Sequence, residues 1–161
     1  MRKILVVIDM QKDFVDGSLG TPEAVGIVDA VVNEIGKYAP ENIYATRDTH
    51  PENYLETQEG RKLPVVHCVK GTPGWEINEK VAAALQGAEV IDKPTFGSLI
   101  LAEKLAALAE KEEIRVTLVG LCTDICVVSN ALLIKAYLPE IPVRVKADCC
   151  AGVTPASHEA A

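Results

Sequence analysis

Three residues of complementary chemistry stand just beyond apolar, β-branched runs: Asp9 after Ile4–Ile8, Lys93 after Glu89–Asp92, and Cys126 shortly after Val116–Val119. They supply a base, a cation and a nucleophile. A thiol in the first turn of a helix is expected to have its pKa lowered by unpaired backbone N–H groups and the helix dipole. Lys93 is expected to lower it further by direct attraction. Asp9 would take the thiol proton and later return it to a leaving amine. The N–H groups of Cys122 and Cys126, at the same helix start, would form an oxyanion hole. The set suits acyl transfer through a thioester. Taken singly, each residue has an ordinary explanation. A Cys on an Ala/Val/Leu-rich helix is usually a buried small hydrophobe, Asp9 caps a loop, and Lys93 is a solvated charge before Pro94. Three such types at three strand ends together point to a site.

A second group follows the run Ile43–Thr46: Asp48-Thr49-His50, with His67 further on in Val65-Val66-His67-Cys68. This set of O and N donors suits Zn²⁺, Fe²⁺ or Mn²⁺ and leaves positions open for water or substrate. Cys122 and Cys126 are spaced C-x₃-C, but no second pair at matching spacing makes them zinc ligands. Cys149-Cys150 read as buried thiols at a strand end, and His158 is assigned no role.

The elements that position these residues alternate in type. Ile4–Ile8 is a continuous apolar run, as in a central parallel strand covered on both faces. Pro22-Glu23 opens a helix in which Val25, Val28, Val32 and Ile35 recur at helical spacing, ending near Gly36 to Pro40. Strands are expected at Ile43–Thr46, Glu89–Asp92, Val116–Val119 and Val143–Val145. Helices are expected at Glu76–Leu85, Leu99–Glu110 and Asp124–Tyr137. The stretch from Asp48 to Trp75 lacks periodicity, and loops of that length are usually functional. Thr154-Pro155 looks like a capped helix start, and the chain stops about two turns later. The alternation implies a three-layer α/β/α domain over residues 1–161, with a mostly parallel sheet and right-handed crossovers. In such sheets ligands bind at the strands' carboxyl ends, near a topological switch point.

Composition agrees with this architecture. Of the 161 residues, 48% are apolar and only 4% aromatic, enough for one core without disulfides. The net charge of −7 comes without any basic stripe, which argues against a nucleic-acid partner. The five cysteines and the short apolar run at the N-terminus suggest a reduced, cytoplasmic protein with no membrane span.

Five motifs, in order, resemble the isochorismatase-like cysteine hydrolases, and within them the nicotinamidases. They are Ile8-Asp9-Met10-Gln11-Lys12-Asp13-Phe14, Asp48-Thr49-His50, His67 through Gly74, Lys93-Pro94-Thr95-Phe96-Gly97-Ser98 and Gly120 through Val127. The resemblance implies a Rossmann-like topology, an Asp9-Lys93-Cys126 triad and a cis peptide at Leu121-Cys122. It also implies a divalent metal, zinc before iron or manganese, on Asp48, His50 and His67. Relatives supply a further His or Glu in the following loop, where this chain offers Glu52, Glu56 and Glu59; Glu59 is the expected fourth ligand. Phe14, Phe96 and Leu121 are expected to face the substrate. The implied reaction is hydrolysis of nicotinamide to nicotinate and ammonia, a step of NAD salvage, in a homodimer or homotetramer. Alternatives are another small amide or N-carbamoyl substrate, or a binding protein without turnover. Relatives usually continue past the present C-terminus, so the chain is expected to be short there.

Overall fold

Ile4, Val6 and Ile8 pack into one apolar cluster, while Leu5 and Val7 pack into another on the opposite face. A strand buried on both faces needs helices on both sides, and the computed structural model, which describes residues 1–161, has them. Strands β1 (Arg2–Ile8), β2 (Ile43–Asp48), β3 (Glu89–Lys93), β4 (Ile114–Leu121) and β5 (Val143–Ala151) form one sheet in the order β3-β2-β1-β4-β5. Every neighbouring pair is parallel. The helices are α1 (Lys12–Val15), α2 (Pro22–Gly26), α3 (Val28–Ile35), α4 (Gln58–Lys62), α5 (Glu79–Ala84), α6 (Leu99–Ala109), α7 (Val128–Tyr137) and α8 (Pro155–Ala160). Ala24, Val28, Val31, Ile35 and Val81 bring α2, α3 and α5 onto one face. Leu101, Leu105 and Ile134 bring α6 and α7 onto the other. The expected three-layer α/β/α arrangement is what forms. Strand order reverses between β1 and β4, so the crevice between their carboxyl ends is the switch point where such sheets bind ligands.

Several elements differ from expectation. The single helix expected from Pro22 breaks at Ile27, just after Gly26, and Val25 is left exposed while Ala24 and Val31 are buried. The helix expected from Glu76 starts only at Glu79, behind the Asn78 cap. Glu76 and Asn78 are held instead by backbone bonds to Lys12 and Met10, and Ile77 bridges Gln11. The helix expected from Asp124 begins as a π-helical turn, Thr123–Val127, before α7. Such turns recur at functional sites. β5 runs on to Ala151 past a register shift, and its end buries Cys149 and Cys150 as expected. All five thiols are free. Thr154 and Ser157 make the reciprocal cap that starts α8. No helix is long and apolar enough to cross a membrane.

Candidate active site

The β-branched run of β1 carries the chain to the switch point, where Asp9 turns into the left-handed region at φ 47°. Its N–H donates to the Thr46 carbonyl at 3.2 Å. Its Oδ1 accepts the Thr46 hydroxyl at 2.7 Å. Its Oδ2 lies 2.7 Å from Lys93 Nζ at the end of β3. The same Nζ is 3.3 Å from Cys126 Sγ and 3.2 Å from the Thr95 carbonyl. Asp9, Lys93 and Cys126, drawn from three strand ends, therefore meet in the interior. Asn130, one turn beyond Cys126, latches the thiol's turn to the loop after β3. Its Nδ2 donates to the Cys126 and Phe96 carbonyls, and its Oδ1 accepts from the Ser98 N–H.

Burial would lower the Lys93 pKa, but the charges of Asp9, Cys126 and Asp48 hold it above the usual lysine range. Asp9 is pushed up: burial outweighs the pull of Lys93. Cys126 is pushed well up by burial and then by Asp9, with Lys93 opposing. This corrects the expectation of a lowered thiol pKa. Lys93 acts in the expected direction, but desolvation and a neighbouring carboxylate outweigh it. The one side-chain hydrogen bond to Sγ comes from Lys93. The Leu121-Cys122 peptide is cis, as the resemblance implied, and the Cys122 N–H makes no hydrogen bond within the chain.

One side-chain atom each from Asp48, His50 and His67 lie within 4.8 Å of one another. Asp48 Oδ2 is 2.8 Å from His50 Nε2 and 3.6 Å from His67 Nε2. His67 Nδ1 lies 2.7 Å from the Val65 carbonyl. A carbonyl only accepts, so Nδ1 carries the proton that bonds it, and Nε2 is the nitrogen turned toward the carboxylate. Two imidazole nitrogens and a carboxylate converge on one point, an arrangement able to hold a metal ion. Burial raises Asp48, but hydrogen bonds from His50 and His67, then the Lys93 charge, carry it well below the usual carboxylate range. Its Oδ1 has no hydrogen-bond partner and stands 3.7 Å from Lys93 Nζ. The donor set fits a divalent metal ion. Glu59 Oε2 stands just outside, 3.8 Å from His50 Nε2, whereas Glu52 and Glu56 point to solvent. Tyr54, fully buried, packs tilted on His50 and edge-on to His67, at 4.7 and 4.9 Å between centroids.

Between the two groups lies a cavity of about 210 Å³ whose walls include Phe14, Asp48, His67, Phe96, Leu121 and Cys126. That is room for roughly seven water molecules at ~30 Å³ each, or one substituted ring. Phe14 leans on the His67 imidazole at 5.5 Å, and Phe96, 45% exposed, stands at the rim. The sequence did not mark Thr46, Gln11, Tyr54 or Asn130 as site residues. Nor did it mark His158, whose Nδ1 meets the Thr123 hydroxyl at 2.6 Å and so ties α8 to the π-helical turn. Most of these bonds reach backbone atoms or strand hydroxyls, which leave no motif. A histidine three residues into a capped C-terminal helix was the one available signal.

Residues 3–161 match the isochorismatase domain family model. The chain is 31% identical over 144 residues to the isochorismatase family protein PncA of Bacillus subtilis (strain 168), covering 82% of this chain and 78% of that one. The pyrazinamidase of Pyrococcus horikoshii, solved in complex with zinc, superposes with a TM-score of 0.78 at 30% identity, covering 99% of this chain and 92% of the other. The N-carbamoylsarcosine amidase of Thermoplasma acidophilum superposes with a TM-score of 0.74 at 26% identity, covering 99% and 90%. On the family match and the PncA identity, the chain belongs to the isochorismatase family and is one of its hydrolases.

Proposed function

We propose that the chain hydrolyses a small aromatic carboxamide, nicotinamide first among candidates, to the acid and ammonia through a thioester on Cys126. The observation that carries this reading is Lys93 Nζ in contact with both Asp9 and Cys126, with the metal-ligand cluster on another wall of the same ring-sized cavity. Asp9 accepts the thiol proton as Sγ forms a bond to the carboxamide carbon. The oxygen's developing charge is met by the N–H groups of Cys122 and Cys126. Asp9 returns the proton to the nitrogen, the C–N bond breaks, and ammonia leaves. A water molecule then gives its proton to Asp9 and its oxygen to the acyl carbon. The C–S bond breaks and Cys126 recovers its proton. Lys93 stays charged throughout and holds whichever of Asp9 and Sγ is anionic. Phe14, Phe96 and Leu121 would sandwich the ring. Asp48, His50 and His67, with Glu59 alongside, would hold the metal, zinc by preference, whose Lewis acidity grips an electron-pair donor of the substrate.

A second reading has one observation in its favour. Past Glu59, Leu63 and Phe96 the cavity opens onto an outer depression bordered by Gln58, Lys62 and Thr95, which suits a longer amide such as an N-carbamoyl amino acid. The test measures ammonia release from nicotinamide and from N-carbamoylsarcosine, using metal-loaded protein, chelated protein and Cys126→Ala. Release from nicotinamide that both controls abolish supports the first reading. Release from the carbamoyl compound alone replaces it with the second. No release from either compound by the metal-loaded protein would point to a binding role.

A further inference from the structure

We propose that Gln11 and Asp13 are positioning residues that set the geometry of the metal-ligand cluster. The inference rests on the metal reading above and concerns two side chains outside the cluster itself.

Asp9, Gln11 and Asp13 lie within the five residues that follow β1, and each serves a different segment. Asp9 meets Lys93, whereas Gln11 and Asp13 reach the segments that carry the ligands. The β1–β2 ladder ends at the Ile8–Thr46 pair, short of Asp48. Gln11, fully buried, continues it with its side chain. Its Oε1 accepts from the Asp48 N–H at 2.8 Å, and its Nε2 donates to the Asp48 carbonyl at 2.8 Å and the Trp75 carbonyl at 2.9 Å. A primary amide can donate and accept at once, so it pairs with both backbone groups of Asp48 as a neighbouring strand would.

Asp13 does the corresponding work for His67. Its Oδ2 accepts the Cys68 N–H at 2.8 Å. Cys68 follows His67 directly and is held at φ 47°, a left-handed conformation that costs a non-glycine residue about 1–2 kcal/mol. The Cys68 carbonyl in turn accepts the His50 N–H at 2.9 Å. The residue after one histidine is thus tied on one side to Asp13 and on the other to the second histidine. Gly74 makes room for the carboxylate, since a Cβ there would lie 2.2 Å from Asp13 Oδ2. Losing the Asp13 acceptor leaves a part-buried N–H unpaired and the left-handed turn unsupported, which frees His67 to swing its Nε2 off the common point. Partners that orient ligands in this way typically change metal affinity about 10–100-fold.

The test is a Co²⁺ titration of chelator-stripped full-length protein, read by visible absorbance, beside circular dichroism and melting in chelator. Gln11→Met, Asp13→Ala and Gly74→Ala are expected to weaken Co²⁺ binding about 10–100-fold with an altered spectrum. Asp13→Asn keeps an acceptor oxygen and is expected to stay near wild type. Variants that melt lower in chelator yet bind Co²⁺ with wild-type affinity and spectrum would reduce both residues to scaffolding and overturn the inference. If Asp13→Ala does not fold, Asp13→Glu, which displaces the oxygen by one methylene, is read in its place. Failure of the wild-type protein itself to bind Co²⁺ would overturn the metal reading, and this inference with it.

Discussion

Thr46→Val tests whether Asp9 is the base. The substitution is nearly isosteric and suits a strand, so β2 should form unchanged. What disappears is the hydroxyl that donates to Asp9 Oδ1 at 2.7 Å and accepts from the Asp9 N–H at 3.3 Å. A hydrogen bond to a buried charged group contributes about 1.5–3 kcal/mol. At about 1.4 kcal/mol per unit, its loss raises the Asp9 pKa by roughly one to two units. The lower end is expected, because Lys93 keeps its grip on Oδ2. Asp9 must be ionised to take the thiol proton, so the acid limb of kcat/KM moves to higher pH by about one unit.

Stability follows with a definite sign. Burial already raises the folded pKa of Asp9 above the ordinary aspartate value, so the folded state binds the proton more tightly than the unfolded chain does. Its contribution to stability falls as pH rises from the unfolded value through the folded one. Thr46→Val widens that window. Its cost is present above the folded pKa and closes as pH falls through it. The assay is kcat/KM for ammonia release between pH 5 and 9, with Thr46→Ser as a control that keeps the hydroxyl. If Val and Ser share the wild-type limb, Asp9 is not the group that titrates in the acid limb, and the proton path above is wrong.

Gly120→Ala would place a Cβ 2.1 Å from the Ile8 carbonyl at a φ of 119°. Overpacking and backbone strain together should cost about 3 kcal/mol or more, and an unchanged urea midpoint would contradict the β1–β4 register beside the site. Lys93→Met leaves Asp9 and Asp48 without their buried cation, which should destabilise by about 3–5 kcal/mol. It should also slow alkylation of Cys126, since Lys93 is the group pulling that thiol down; faster alkylation would reverse the electrostatic assignment. Away from the site, burial raises Glu34 but hydrogen bonds from Lys37 and Lys146 carry its pKa below 4.5. A depressed carboxylate stabilises above its unfolded pKa and loses that contribution as pH falls through the folded one. Glu34→Gln should therefore melt lower than wild type at pH 7, with the gap closing in acid; a gap that widens there would be inconsistent with the bridge.

The legible part of the site was the part built from residue types at strand ends. Asp9, Asp48 and Lys93 each end or follow a β-branched run, so the fold rule alone gathered them before the structure did. Gln11, Asp13 and Asn130 escaped notice because their partners are backbone atoms, whose identity no sequence pattern records. Glu59 could be chosen from Glu52, Glu56 and Glu59 only by resemblance. What turns it inward is the short helix that Thr57 caps through the Gly60 N–H, a single turn too brief to show periodicity. Glu76 and Ile77 carry an apparent helical pattern, yet their backbone is claimed by the loop after β1. A long-range bond of that kind overrides local propensity.

The sign of the thiol shift shows most clearly what sequence could not carry. The expectation was a thiol pKa lowered by the helix start and by Lys93, with Asp9 taking the proton. Lys93 touches both Asp9 and Cys126, and burial pushes each of the two toward holding the proton that passes between them. Handing it from sulfur to carboxylate keeps the triad's net charge at zero, so the transfer needs no counter-ion from solvent. Nucleophile activation in this site therefore coincides with attack instead of preceding it. Free enzyme should react slowly with iodoacetamide at pH 7 even while turning over substrate, whereas a preformed thiolate would be alkylated rapidly with no substrate present.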